Sequence, residues 1–137
     1  MSQSTWPILT YLIFFPVAGC LVLPFLKEEK TIRLFTLVVG LVEAALCLPL
    51  FNFDLAQPGY QFVERTEWVK DWGLSYYLGM DGISLLMVLL TVLLLPLCVL
   101  CSWSYISKRV KEFHFSLLMM TSACIGVFVA LDFVLFY

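Results

Sequence analysis

A chain of 137 residues that is 62% hydrophobic and only 13% charged is not an ordinary water-soluble domain, which carries about a quarter charged residues. Its net charge of -2 says little because its charges cluster in the connections between apolar runs, and neither nucleic-acid binding nor an acidic substrate is indicated. The composition points to an integral membrane protein, all-α and polytopic.

The first apolar run covers 6–26, from Trp6 to Leu26, with Pro7, Pro16 and Pro24 inside it. Pro16 removes a backbone hydrogen bond, which a membrane helix tolerates when its neighbours compensate. The run after Met1 has no basic flank and no small-residue cleavage pattern, so no cleavable signal peptide is indicated. Lys27-Glu-Glu-Lys30 and Arg33 form a short charged connection. The second span is expected over 32–51. Within it Thr36, Gly40 and Ala44 recur every four residues, a small-residue stripe that lets helix backbones approach. Glu43 projects from nearly the same face and is expected inside the bundle, away from lipid.

The connection 52–77 is long and polar, with Pro58-Gly59 as a turn signal. Trp68, Trp72, Tyr76 and Tyr77 gather toward its end, as interfacial aromatics do. A short hairpin and an amphipathic segment lying on the membrane surface both fit.

From Ile83 to Trp103 the chain runs 21 residues without a charge. That makes roughly 30 Å of helix, the thickness of a bilayer's hydrocarbon core. The span is expected over 82–103, with Asp81 as its helix cap, where a carboxylate meets orphan amides and the positive end of the dipole. Pro96 lies inside it. The fourth span is expected over 113–137, with Ser122, Gly126 and Ala130 again at small-residue spacing. Asp132 falls on a different face, near the outer end. His114, beside the basic loop, is expected at headgroup level.

Lys27, Lys30, Arg33, Lys108, Arg109 and Lys111 all belong to the first and third connections; the second holds only Arg65 and Lys70. The positive-inside rule then puts the N-terminus outside, with 52–77 an external loop.

Two acids are candidates for a proton pathway. Glu43 lies near mid-membrane, where an ionisable group costs a few kcal/mol and usually has a partner or a job. Its alternatives are a proton relay and a neutral acid that locks two helices together. Asp132 is either a proton-pathway residue or an acceptor for an interfacial amide or water. Cys98 and Cys101 form a C-x-x-C, but mid-helix thiols with no second pair and no histidine beside them read as small hydrophobes rather than metal ligands. No nucleophile with its base and no phosphate-cradling loop is recognisable, and no catalytic or cofactor-binding residue is assigned.

The stretches Leu78-Gly-Met-Asp-Gly-Ile-Ser-Leu-Leu-Met-Val-Leu-Leu-Thr91, Leu100-Cys-Ser-Trp103, Phe113-His-Phe115 and Ile125-Gly-Val-Phe-Val-Ala-Leu-Asp132 closely resemble the start of the antiporter-like chain M (chain 4) of proton-pumping NADH:quinone oxidoreductase, respiratory complex I. Ile32-Arg33 before Glu43, and Val63-Glu64 before Trp68, resemble its bacterial and plastid members. The resemblance implies that this is the N-terminal portion of a larger helix bundle. The family's central glutamate would lie a few residues beyond 131–137, and its lysines on later helices. It implies a contribution to proton translocation coupled to quinone reduction, with other membrane-arm subunits as partners. NADH, FMN, iron–sulfur clusters and quinone would be handled in other subunits. The membrane would be a bacterial inner membrane or another energy-transducing membrane, such as that of a plastid. Two other readings stand beside it: a subunit of a multi-subunit sodium/proton antiporter, and an inert truncated scaffold.

Overall fold

The computed structural model describes residues 7–137; Trp6, the expected start of the first span, lies outside them. Four long helices follow one another: α1 (Ile8–Val22), α2 (Glu29–Leu46), α3 (Gly82–Ser102) and α4 (Val110–Val129). Tight 3-10 turns prolong α1 to Phe25 and α2 to Asn52, giving spans of 18, 24, 21 and 20 residues, all apolar enough to cross a membrane. At 1.5 Å per residue they measure about 27 to 36 Å. The helical, polytopic architecture expected from composition is the one observed.

The outside of the bundle is as apolar as its inside. Phe14, Leu21, Leu41, Ile83, Leu90 and Leu97 are all exposed, the pattern of helices whose outer solvent is hydrocarbon or neighbouring protein. In cross-section α1 and α3 each adjoin both α2 and α4, and α2 and α4 also meet through the middle. The small-residue stripes explain the close approaches. A Cβ on Gly40 would lie 3.2 Å from Leu95 Cγ and 3.3 Å from Pro96 Cδ, so α2 rests directly on α3. On the other side, the Ser122 hydroxyl donates to the Ile13 carbonyl at 2.6 Å, joining α4 to α1.

The connection between α2 and α3 folds as a β-hairpin, the one departure from helix and turn among the described long elements. Strands β1 (Gln61–Val69) and β2 (Leu74–Met80) pair antiparallel, with Arg65 opposite Tyr77 and Glu67 opposite Ser75. A tight turn over Lys70–Trp72 leads into Gly73 at φ +66°, the left-handed region that glycine enters without steric cost. Gln61 anchors the approach: its side chain accepts the Asp54 N–H at 3.0 Å and donates to the Asp54 carbonyl at 2.5 Å.

The fourth helix differs from the span expected over 113–137. It begins at Val110 and ends at Val129. Ala130 then bridges to Leu78, and the Leu131 N–H donates to the Tyr77 carbonyl at 3.0 Å, so a short extended segment lies along β2. Helix resumes as α5 (Phe133–Phe136). Gly79 makes room for the detour, because a Cβ there would sit 2.6 Å from Leu131 Cδ1. The edge of β2 thus takes up backbone groups that would otherwise continue the helix.

Candidate functional site

Glu43 lies 14 residues into α2, about 21 Å from its start. It is the one fully buried carboxylate among the described residues, with no exposed surface at all. It shares the inward stripe of α2 with Ile32, Thr36, Val39 and Gly40. Neither carboxyl oxygen has a hydrogen-bond partner among the described residues. The ion pairs lie elsewhere: Arg33 with Glu29 at 3.6 Å, Lys70 with Glu67 at 3.4 Å and Arg109 with Glu112 at 3.2 Å. A charge held there without a counter-ion costs several kcal/mol, of the order of the penalty for breaking a buried pair. Chemically, such a group can hold a proton or pass it to water or to an adjoining chain.

At the opposite, basic end of the bundle two further polar groups turn inward. Arg33 Nη2 donates to the Ile106 carbonyl at 2.7 Å, while its Nε is buried and unpartnered among the described residues. His114 is 2% exposed, and its Nδ1 also lacks a partner there. It is therefore packed between helices, one turn inside the start of α4. The signal was present in the sequence: Val110, His114, Leu117, Thr121 and Ile125 fall on one helical stripe, and all five are buried.

Asp132 lies past the end of α4, not on it. Its Oδ1 accepts the Val134 N–H at 2.9 Å, capping α5, and its Oδ2 accepts the Ser75 N–H at 3.3 Å and the Ser75 hydroxyl at 3.2 Å. The Val134 amide, then the Ser75 amide, hold its carboxyl below the usual carboxylate range. Asp81 caps α3, its Oδ1 accepting the Ser84 N–H at 2.7 Å, and Ser84 likewise lowers its pKa. The structure therefore does not bring Glu43 and Asp132 into one site.

Sequence reasoning missed Glu64. Pro7 precedes α1 and has no side chain able to cap it. Glu64 of β1 supplies the acceptor instead: Oε1 takes the Leu9 N–H at 2.7 Å and Oε2 the Thr10 N–H at 3.2 Å. The Thr10 hydroxyl donates to the same Oε2 and lies 3.0 Å from the Tyr76 hydroxyl. Cys98 and Cys101 are both exposed on the outer face of α3. No group of three or more His, Cys, Asp or Glu side chains able to hold a metal converges among the described residues.

Comparison with known proteins places this arrangement. The family profile described as NADH-ubiquinone oxidoreductase chain 4, amino terminus, matches residues 10–128. The NAD(P)H-quinone oxidoreductase chain 4 1 of Synechococcus elongatus is 40% identical over 141 residues, covering 100% of this chain and 26% of that protein. The NADH-quinone oxidoreductase subunit M of Rhodobacter capsulatus is 40% identical over 139 residues, covering 95% of this chain and 26% of that protein. A Microcystis aeruginosa chain 4 1 is 36% identical, covering 100% of this chain and 27% of its own length. The chain thus spans about a quarter of the length of the curated relatives it matches. With the profile matching four helices and the hairpin between them, this chain belongs to the NADH-ubiquinone oxidoreductase chain 4 amino-terminal family.

Proposed function

We propose that this chain acts as the N-terminal four-helix part of a membrane-arm subunit of NADH:quinone oxidoreductase, and that it contributes to proton translocation coupled to quinone reduction. The observation that carries the reading is Glu43: a carboxyl group wholly enclosed in a span of 24 residues, with both oxygens free of protein partners among the described residues. A group of that kind is expensive to keep in a membrane, so its presence supports a task, and exchanging protons is the one a carboxyl group suits. Redox chemistry belongs on this reading to other subunits carrying NADH, FMN, iron–sulfur clusters and quinone, while other membrane-arm subunits and lipid are the partners of the exposed apolar faces. Asp132 joins Glu43 as a candidate, though its three hydrogen bonds suit it to holding the hairpin in place.

The orientation proposed follows the basic residues. Lys27, Lys30, Arg33, Lys108, Arg109 and Lys111 sit at the end of the bundle away from the hairpin. That end faces the cytoplasm of a bacterial inner membrane or the equivalent side of another energy-transducing membrane. The N-terminus and the hairpin then lie outside.

The test is Glu43→Gln in the assembled complex. Inverted membrane vesicles should reduce quinone at a near-normal rate while acidifying less per quinone reduced. Unchanged coupling would make Glu43 a helix-locking acid instead.

A further inference from the structure

Four buried side-chain atoms lack a hydrogen-bond partner among the described residues: both carboxyl oxygens of Glu43, Arg33 Nε and His114 Nδ1. All four belong to α2 or α4, the two helices that meet through the middle of the bundle. The other buried polar residues of the helices, Thr36, Thr121 and Ser122, lie on the same pair, and the buried residues of α1 and α3 include none. The polar interior is thus confined to one diagonal of the bundle.

The relative height of its members can be fixed. A Cβ on Gly19 would lie 3.3 Å from Leu118 Cδ1 and 3.5 Å from both Val39 methyl carbons, so Val39 and Leu118 stand at one level. Both helices start at the basic end and run parallel. Glu43 is one turn beyond Val39 and His114 one turn before Leu118, which separates them by about 12 Å along the axis. Thr36 and Thr121 fall within that interval. Each donates its hydroxyl to its own helix, Thr36 to the Ile32 carbonyl at 2.9 Å and Thr121 to the Leu117 carbonyl at 2.9 Å. Each oxygen keeps lone pairs to accept a further bond.

Resting on the reading of Glu43 as a proton-handling group, we infer that a file of water enters beside Arg33 and His114 and reaches Glu43 past Thr36 and Thr121. The chemistry fits water at each step. Arg33 Nε–H is a donor, a neutral imidazole nitrogen accepts or donates according to tautomer, the hydroxyls accept, and the carboxyl does both when protonated. A buried water needs two to four such partners. Apolar side chains close the core at both ends, Leu9, Leu12 and Leu50 at the hairpin end and Ile32, Val39 and Leu118 toward the basic end. The direction is therefore set by the polar groups: Thr36, Thr121, His114 and Arg33 lie on the basic side of Glu43, and the protons that Glu43 exchanges would then come from that end.

Radiolytic footprinting of the intact complex in native membranes tests this, because hydroxyl radicals made from bound water oxidise the side chains beside it. Cys47 follows Glu43 by one turn, its N–H donating to the Glu43 carbonyl at 3.1 Å. Met80 is as deeply buried, with no exposed surface, but lies at the hairpin end of the core. Cys47 should be oxidised at least five-fold faster than Met80 once each rate is scaled to the residue's intrinsic reactivity toward the radical, and that excess should vanish in the double variant Thr36→Val, Thr121→Val. Equal scaled rates for the two residues in the unaltered complex overturn the inference, whether or not the variant assembles. An excess that survives the double substitution overturns it too. The proposed function fails separately: Glu43→Gln could leave proton coupling intact while the oxidation pattern stays as expected.

Discussion

Glu64 caps the start of α1 from a strand far along the chain: its Oε1 accepts the N–H of Leu9, 55 residues earlier, at 2.7 Å, doing from the hairpin what Pro7 cannot do from its own position. The carboxylate lies at the positive end of the α1 dipole, so charge and hydrogen bonding act together. Replacing an N-cap acceptor by alanine costs about 0.5 to 2 kcal/mol. Glu64→Ala should therefore speed amide hydrogen exchange over Leu9 to Leu12 while leaving α3 unaffected. Glu64→Gln retains an acceptor oxygen and should show a smaller effect. Unchanged protection at Leu9 in Glu64→Ala would mean that the contact holds nothing.

Asp132 predicts a pH dependence. Its folded pKa is depressed by the Val134 and Ser75 amides, so the charged form is the one the fold favours. Its contribution is complete above the ordinary aspartate value of about 3.9 and is lost as pH falls below that value through the lower folded one. The difference in melting temperature between the parent protein and Asp132→Ala, measured in detergent, should be constant from pH 8 to about 5. It should shrink toward zero as the pH approaches about 2. A difference that grows on acidification would contradict the assignment.

Gly79 should not accept a side chain unless Leu131 yields. With its Cβ position 2.6 Å from Leu131 Cδ1, Gly79→Val should destabilise by about 1 to 3 kcal/mol, the usual cost of overpacking. Adding Leu131→Ala should recover part of the loss. The pair must therefore be non-additive in a double-mutant cycle; simple additivity would place the clash elsewhere.

Ser122 joins α4 to α1 through the Ile13 carbonyl. Ser122→Ala should cost about 0.6 kcal/mol, typical of interhelical hydrogen bonds in membranes, and chemical unfolding in mixed micelles would read it. Ser122→Leu should cost far more, because the small residue also sets the spacing of the two helices. Equal costs would show that spacing is not the constraint.

The helices were legible because hydropathy is a local property, and each span carries its own run of apolar residues. The burial of Glu43 was legible as well, since Thr36 and Gly40 mark its face at helical spacing. Two features, the end of α4 and the cap on α1, depended on contacts between distant parts of the chain. The end of α4 is hidden because Ala130 and Leu131 are as apolar as the helix before them, and only the edge of β2 draws them out. Asp132 before Phe133-Val-Leu-Phe did carry a local cap signal, hidden because the apolar run continues on both sides of it. Glu64 gave no such sign, because its partner amides lie 54 and 55 residues away.

The hairpin has a mechanical consequence. Glu64 grips the start of α1, Ser75 and Tyr77 hold the segment after α4, and β2 runs through Asp81 directly into α3. Three of the four rods are thereby pinned to one ribbon at the hairpin rim. Any relative sliding of these rods must pivot there, so the freedom to breathe belongs to the far rim, around the loops that carry the lysines and arginines.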